Sequence, residues 1–516
     1  MSRLLKSSGA VAAATLISRF LGLLREMAYA GFMGIGPVAD AFTYAFQLPN
    51  LLRRLLGEGA LTAAFIPVFK DREVNQGEAE MWRSANAVLC GLALLLGAVV
   101  LVSMAGLAAV LTWVPLELRM ELSLTLMLVM SPYVAFVCIA AVFIGLLNAR
   151  GHYFIPALGA TLLNVVMIAT VFLLAPRFGK TLDRQIFGLA IGVVLAGIVQ
   201  AAAQIPLLRR DGFRFAWVNP FRDPTVREVV RKMGPALLGV AAYQINVLIT
   251  QSLAFTEGRN VVSSFSYAVR LMELPQGVVG VSLATYLLGE LSGLAAEKKF
   301  PEFRNVLRDG LQQLVFINTL AMVILLVLAR PIVRLLFEHG NFTSSHTELA
   351  AQALWSLAPG LVFFSLNNIY ARAFYALGDT RTPMRISLFT LGVNVALTAL
   401  LLPILHQAGM GIANTATAAL NTLLLIYALR RALPKFGYAE VAGTLPRVLL
   451  SAMGATLVAG GLCWGLQYGL GLDGWISRGI TVLVPIAGAT ATYFGLAMAL
   501  RLPQSTELLT LLRLKV

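Results

Sequence analysis

The sequence predicts an all-α polytopic membrane protein with about fourteen transmembrane helices. Three observations carry that prediction. Only 13% of the 516 residues are charged, about half the share of a soluble domain, which leaves too little polar surface to solvate a globule. Apolar runs of about 20 residues or more recur along the whole chain, the length needed to cross roughly 30 Å of hydrocarbon, and the mean hydropathy is +0.79. In lipid each segment must satisfy its own backbone N–H and C=O groups, so runs of this length are helices. Finally, the basic residues behind a net charge of +15 sit mostly between the runs, which is a topology signal before it is a nucleic-acid signal.

In order, the spans are roughly 4–32, 37–69, 84–113, 120–148, 154–176, 185–208, 233–256, 260–293, 310–337, 347–377, 383–406, 409–431, 446–470 and 475–500. The first, from Leu4 past Arg19 and Arg25 to Phe32, is too long for the apolar core of a cleaved signal. The second and eighth are long and carry Pro, Gly and charge, so they are expected to bend or to lie partly outside the hydrocarbon. With the N-terminus placed inside, 26 of the 40 Lys and Arg fall in the termini and even-numbered loops, and six fall in the odd-numbered loops (Arg119, Arg177, Lys180, Arg184, Arg259, Arg478). That asymmetry predicts an inner-membrane protein with cytoplasmic termini.

The chain also repeats itself. Ala149-Arg-Gly151 with Pro156 recurs as Ala376-Leu-Gly378 with Pro383, and Gly188 with Arg209-Arg210 recurs as Gly409 with Arg430-Arg431. The expected organisation is two pseudo-symmetric six-helix lobes, residues 1–208 and 233–432, joined by a basic cytoplasmic linker at 209–232 and followed by two more spans in 433–516. An even number of spans per half makes the repeats parallel, and transporters built this way bind substrate between the halves. Thr225–Lys232 and the loop 297–308 are candidates for interfacial amphipathic helices.

Charges inside spans are the strongest chemical signal. A charge at mid-bilayer costs a few kcal/mol or more and normally faces a cavity or a partner. Arg19 lies about fifteen residues into span 1, or about 22 Å at 1.5 Å per residue. Arg270 lies about ten residues into span 8. Arg25, Arg53, Arg54 and Arg372 are the others, and Arg372 reads as interfacial. Acids are few: Glu26, Asp40, Glu58, Glu273 and Glu290. The basic excess predicts a cavity for an anion, and guanidinium suits phosphate or pyrophosphate. Internal pairing is the competing role: Glu26 lies seven residues from Arg19 on one helix stripe, and Glu273 lies three from Arg270. Asp40 is a candidate gate residue or a simple cap. Asn246, Asn367 and Asn368 are candidates for a cation site, although such residues more often tie helices together. Gln47-Leu-Pro49-Asn50 is a hinge or a passive kink. The three cysteines (Cys90, Cys138, Cys463) read as small buried hydrophobes. The glycine-rich stretch 31–36 lacks the context of a phosphate loop. No catalytic triad, paired carboxylates or metal-ligand spacing is visible, so neither a metal nor a cofactor is expected. A membrane glycosyltransferase or lipid phosphatase would need clustered acids or histidines at one face, and the outer loops offer only scattered ones.

At these residues the chain resembles the MurJ (MviN) family of lipid II flippases, within the multidrug/oligosaccharidyl-lipid/polysaccharide exporter superfamily. The resemblance rests on Ser18-Arg-Phe-Leu-Gly-Leu-Leu-Arg25, Ala39-Asp-Ala-Phe42, Leu48-Pro-Asn-Leu-Leu-Arg-Arg54 with Glu58-Gly-Ala60, Met233-Gly-Pro-Ala236, and Arg270-Leu-Met-Glu273 with Pro275 and Gly277. It implies two lobes around a central cationic cavity, with Arg19, Arg25, Arg53 and Arg270 as the cavity arginines, Asp40 as a further functional acid, and spans 13 and 14 as a groove for a lipid tail. The implied substrate is lipid II, undecaprenyl-pyrophosphate carrying a disaccharide-pentapeptide. It is moved by alternating access without covalent chemistry, by a monomer that contacts membrane lipids and no nucleic acid. Coupling to the membrane potential or to a monovalent cation is compatible with this reading. So is transport of another polyprenyl-linked glycan or a drug, although cationic drugs would favour intramembrane carboxylates. The chain departs from the family pattern at four places: Glu26 where an Asp is common, Gln47 where a Lys occurs, Val269 where an Asp precedes the arginine, and Gly289-Glu290 where a Pro is expected.

Overall fold

The computed structural model describes residues 2–55, 60–434, 436–470 and 474–507. Glu58, Lys435, Asp473, Arg513 and Lys515 lie outside the described residues. Every regular element among them is helical. The chain divides into two compact units, residues 1–263 and 264–516.

The first unit contains α1 (Ser2–Met33), α2 (Pro37–Leu52), α3 (Ala60–Gln76), α4 (Glu78–Trp113), α5 (Leu118–Met130), α6 (Tyr133–Ala149), α7 (Phe154–Ala157), α8 (Gly159–Ala169), α9 (Leu182–Ala202), α10 (Ile205–Arg210) and α11 (Pro224–Glu257). α12 (Val261–Pro275) begins at its end and crosses into the second unit. The second unit continues through a wide π turn (Gln276–Gly280) to α13 (Val281–Ala296), α14 (Phe300–Val327), α15 (Ala329–Phe337), α16 (Ser344–Leu357), α17 (Gly360–Ala376), α18 (Arg381–Ala432), α19 (Tyr438–Leu470) and α20 (Trp475–Ala499).

Seven of these helical stretches are long and apolar enough to cross a membrane, and nine if each of two bent pairs counts as one span. Of the remaining predicted spans, the first lies in α1 and the seventh in α11, each an uninterrupted helix. The second and eighth spans are broken, as their Pro, Gly and charge predict. Span 2 gives α2 and α3 either side of a wide turn at Arg53–Leu55. Span 8 gives α12 and α13 either side of the π turn. Spans 11 and 12 run together as α18, bent at His406, whose φ of 50° is left-handed. Thr225–Lys232 forms no separate interfacial helix but the first turns of α11, and most of 297–308 is the start of α14.

The repeat is structural. α6 and α17 both stop at a left-handed glycine, Gly151 (φ 87°) and Gly378 (φ 80°). Behind each glycine the same bond closes the helix: His152 N–H to Leu147 O at 2.9 Å and Asp379 N–H to Phe374 O at 2.9 Å. A left-handed residue there costs glycine nothing and satisfies the last carbonyls. The α5–α6 and α16–α17 pairs bend by 40° and 44° at Pro132 and Pro359, which are also 227 residues apart. Proline removes a helix hydrogen bond and crowds the preceding turn, so a bend follows. Gly188 and Gly409 sit equally close to a neighbouring helix end, where a Cβ would strike Ala175 and Leu401 backbone respectively.

α11 follows the linker in the sequence yet packs on α2, α3 and α4, so the first unit runs to Ser263, beyond the linker. In the second unit, α19 and α20 pack as a hairpin and α19 lies along α14. Their seam holds Ala455, Ala459, Ala489 and Tyr493, with Tyr493 Oη donating to Phe316 O at 2.8 Å. Outward-facing Leu101, Val102, Phe172, Leu173, Leu457 and Leu483 are well exposed, as expected of surfaces solvated by lipid. All three cysteines are buried and outside any disulfide.

Candidate functional site

In the first unit the sequence-predicted arginines sit on α1 and at the end of α2. Arg19 is half-buried, and it makes no ion pair or hydrogen bond among the described residues. Arg25 is largely enclosed, and its Nη2 lies 2.5 Å from Glu26 Oε1. Its guanidinium also sits 5.5 Å from the Tyr29 ring centre. Glu26 is therefore the counter-ion of its neighbour Arg25, not of Arg19 one stripe away as the seven-residue spacing allows. Glu26 offsets the charge of Arg25, whereas Arg19 has no counter-ion among the described residues. Arg53 follows Pro49, which sits in the last turn of α2. Its Nε and Nη2 reach back to Asn50 Oδ1 at 3.2 and 3.0 Å. The amide partner orients the guanidinium. Arg54 is half-buried without a partner among the described residues. Guanidinium groups suit a bidentate phosphate ligand.

A second polar cluster gathers at the start of α2. Pro37 pre-sets the first helical turn, and Asp40 in that turn is favoured by the helix dipole. Asp40 is fully buried. Its Oδ1 accepts from Ser263 N–H at 2.8 Å and from Ser263 Oγ–H at 2.5 Å. Arg119, at the start of α5, lies 3.6 Å from Oδ2, donates to Phe255 O, and stacks 4.2 Å above the Phe255 ring centre. Thus Asp40 holds the first turn of α12 while Arg119 holds the last turn of α11. Sequence reasoning counted Arg119 only as one of six outer-loop cations and did not single out Ser263. The missed signal was a lone Arg at the head of a span opposite a lone in-span Asp.

In the second unit Arg270 on α12 pairs with Glu273 at 2.8 Å, the i, i+3 pair the spacing allows. This supplies the partner that Val269 cannot. Both side chains remain more than a third exposed, so the pair is weak and exchangeable. Asn367 is tied across to α18, donating to Ala418 O at 3.1 Å and accepting from Thr422 Oγ1 at 2.8 Å. Asn368 donates to Phe364 O of its own helix at 3.0 Å. Asn246, in α11 of the first unit, is buried, and its carbonyl accepts from Thr250 Oγ1 at 3.0 Å.

Broken apolar helices and a duplicated helix plan are those of a polytopic membrane protein. A solved structure titled "Inward-facing conformation of a multidrug resistance MATE family transporter of the MOP superfamily" shares the fold, with a TM-score of 0.68 and 17% identity over 83% of this chain and 99% of that one. A structure titled "Lipid II flippase MurJ, inward closed conformation" matches with a TM-score of 0.77 and 23% identity, covering 95% of this chain and 99% of that one. The sequence pattern described as "Lipid II flippase MurJ" matches residues 29–472. A "Probable lipid II flippase MurJ" of Vibrio cholerae is 34% identical over 493 residues, 93% of this chain and 92% of that protein. A "Lipid II flippase MurJ" of Burkholderia cenocepacia is 33% identical over 457 residues, 87% of each. The chain belongs to the MurJ family of lipid II flippases, which are transporters and not enzymes.

Proposed function

We propose that this chain carries lipid II from the cytoplasmic to the periplasmic leaflet of the bacterial inner membrane, as a monomer working by alternating access. Arg19, Arg25, Arg53 and Arg270 bind the pyrophosphate in a central cationic cavity while the polyprenyl tail stays in lipid. Glu26, Asp40 and Glu273 are the partner and gating acids. Arg19 carries the reading: a half-buried arginine with no counter-ion among the described residues, on a membrane helix of a family named for a pyrophosphate lipid. A charge left unpaired there is stable only beside water or an anion. Membrane potential, negative inside, biases each negative charge outward by about 2.3 kcal/mol per 100 mV, so the potential can drive the step without a bound cation. Asn367 and Asn368 are engaged by helix carbonyls and a threonine, which favours a structural role over a cation site.

The test is depletion of the chain in its host with rescue by variants, reading lipid II accessible to an external probe. Wild type restores outer lipid II; Arg19→Ala and Arg270→Ala do not, although both accumulate in the membrane. Arg19→Lys restores it poorly, because an ammonium cannot make the bidentate contact. Full rescue by both alanine variants would sink the cavity assignment. Unchanged outer lipid II on depletion would point to another polyprenyl-linked glycan as the substrate.

A further inference from the structure

The segment after α10 makes no helix, yet it is held tightly on one side. Gly212 turns the chain with φ 94°, and Phe213 is buried against Trp82 and Phe143, with ring centres 5.6 and 6.2 Å apart. Asn86 of α4 then grips the extended backbone at two points. Its Nδ2 donates to Arg214 O at 2.9 Å, and its Oδ1 accepts from Ala216 N–H at 3.3 Å. Pro220 packs on Gly91, where an added Cβ would come within 3.1 Å of it. Asp223 closes the segment by accepting from Thr225 N–H at 2.8 Å at the head of α11.

The other side is bare. Phe215, Trp217 and Phe221 are 69%, 65% and 81% exposed. Arg214 and Arg222 beside them are exposed and make no ion pair among the described residues. Residues 209–232 hold seven basic and three acidic side chains. Each acid is already occupied: Asp211 by His152, Asp223 by Arg83, and Glu228 by Lys232 and Arg72. A net positive field therefore remains. The clamp sets the height as well. It engages α4 between Trp82 and Gly91, where the helix passes from Glu78, Glu80 and Arg83 into its apolar run. That is the headgroup level, where exposed aromatic rings and arginines are stable together.

We propose that Phe213–Arg222 is a docking surface for anionic phospholipid. Phe215, Trp217 and Phe221 enter the boundary between headgroup and acyl chain, and Arg214 and Arg222 take the phosphates. Charge complementarity selects this occupant: a basic, aromatic strip in a segment with seven cations to three acids matches a negatively charged leaflet. The proposal rests on the reading of 209–232 as cytoplasmic.

The full chain is reconstituted into phosphatidylcholine vesicles containing a fixed share of phosphatidylglycerol, with bromine quenchers on one lipid or the other. The fluorescence difference between wild type and Trp217→Phe isolates Trp217. Quenching of Trp217 per brominated lipid is expected to be about twofold or more stronger when the bromine is on phosphatidylglycerol. The preference should vanish at about 0.5 M salt, which screens the field, and in Arg214→Gln/Arg222→Gln. The salt arm uses wild type, so misfolding of a variant cannot mask the answer. Equal quenching by both lipids, or none by either, overturns the proposal. An impermeant thiol reagent on Asn219→Cys reads the side of the membrane separately: labelling in right-side-out vesicles would overturn the cytoplasmic assignment and leave the lipid preference to be judged by its own result.

Discussion

At the scale of single residues, charge compensation separates the arginines that sequence alone treats alike. Arg25 has Glu26, Arg270 has Glu273, Arg53 has an amide, and Arg19 has none of these. The fully buried Asp40 depends on Ser263 and Arg119. Arg119→Ala leaves a buried carboxylate oxygen without its cation, at a cost of about 1–3 kcal/mol. Thermal unfolding in detergent checks this. Asp40→Asn in the Arg119→Ala background should recover part of the loss, since a neutral amide needs no counter-ion. Equal midpoints for wild type and Arg119→Ala would show that the 3.6 Å approach contributes nothing. In-span arginines were legible in the sequence because a charge in an apolar run is conspicuous. Their partners were less so: Arg25 and Glu26 are adjacent on a helix, where side chains do not ordinarily face each other, and Asp40 meets Ser263 from 223 residues away.

At the scale of elements, packing is set by small residues at helix crossings and by short polar clamps at helix ends. Gly411 of α18 lies so close to α16 that a Cβ would collide with Ser356 Oγ. Gly411→Ala should destabilise by about 1–3 kcal/mol through overpacking, and Ser356→Gly in the same chain should recover most of it. Unfolding midpoints of the two variants measure this. At the end of α3, Glu73 accepts from Lys70 at 2.6 Å and from Arg150 at 2.6 Å. The Lys70 hydrogen bond and the Arg150 contact hold its carboxyl below the ordinary value of 4.5, although partial burial pushes the other way. A depressed carboxylate stabilises the fold above its ordinary range, and that contribution is lost as pH falls through the folded value. Wild type and Glu73→Gln should therefore differ in unfolding midpoint at pH 7 and converge in acid. A gap that persists below pH of about 3 would exclude the ionic origin. That spans 2 and 8 would bend was readable in advance from their Pro, Gly and charge. The wide turns at 53–55 and 276–280 were not, because a single extra residue in a helix leaves no compositional mark.

At the scale of the whole molecule, the sequence repeat announced the duplicated plan. Gly151 and Gly378, like Pro132 and Pro359, now show that the two halves share stops and bends as well as letters. The structural division at Ser263 was hidden from the sequence because α11 belongs to one half by repeat and to the other by packing. Span count was legible only approximately: interrupted helices dilute the apolar signal that a continuous one concentrates. Charge asymmetry predicts the orientation, and the three buried cysteines leave a quiet background for checking it. Lys299→Cys should react with an impermeant thiol reagent only from the cytoplasmic face, and Lys180→Cys only from the periplasmic face. The reverse pattern would invert the topology and with it the direction of transport.

The π turn between α12 and α13 carries a geometric corollary. A helix advances about 100° of rotation for each residue, so one surplus residue acts as a phase shifter between two rigid rods. Upstream of it the phase aims Arg270 and Glu273; downstream it aims Leu287 and Leu291 into the packing with Leu307 and Leu311. Deleting one residue within Gln276–Gly280 would restore an ordinary helix and turn one rod by about 100° against the other. The arginine and the apolar seam are thus indexed to each other by a count of residues, whatever side chains occupy the turn.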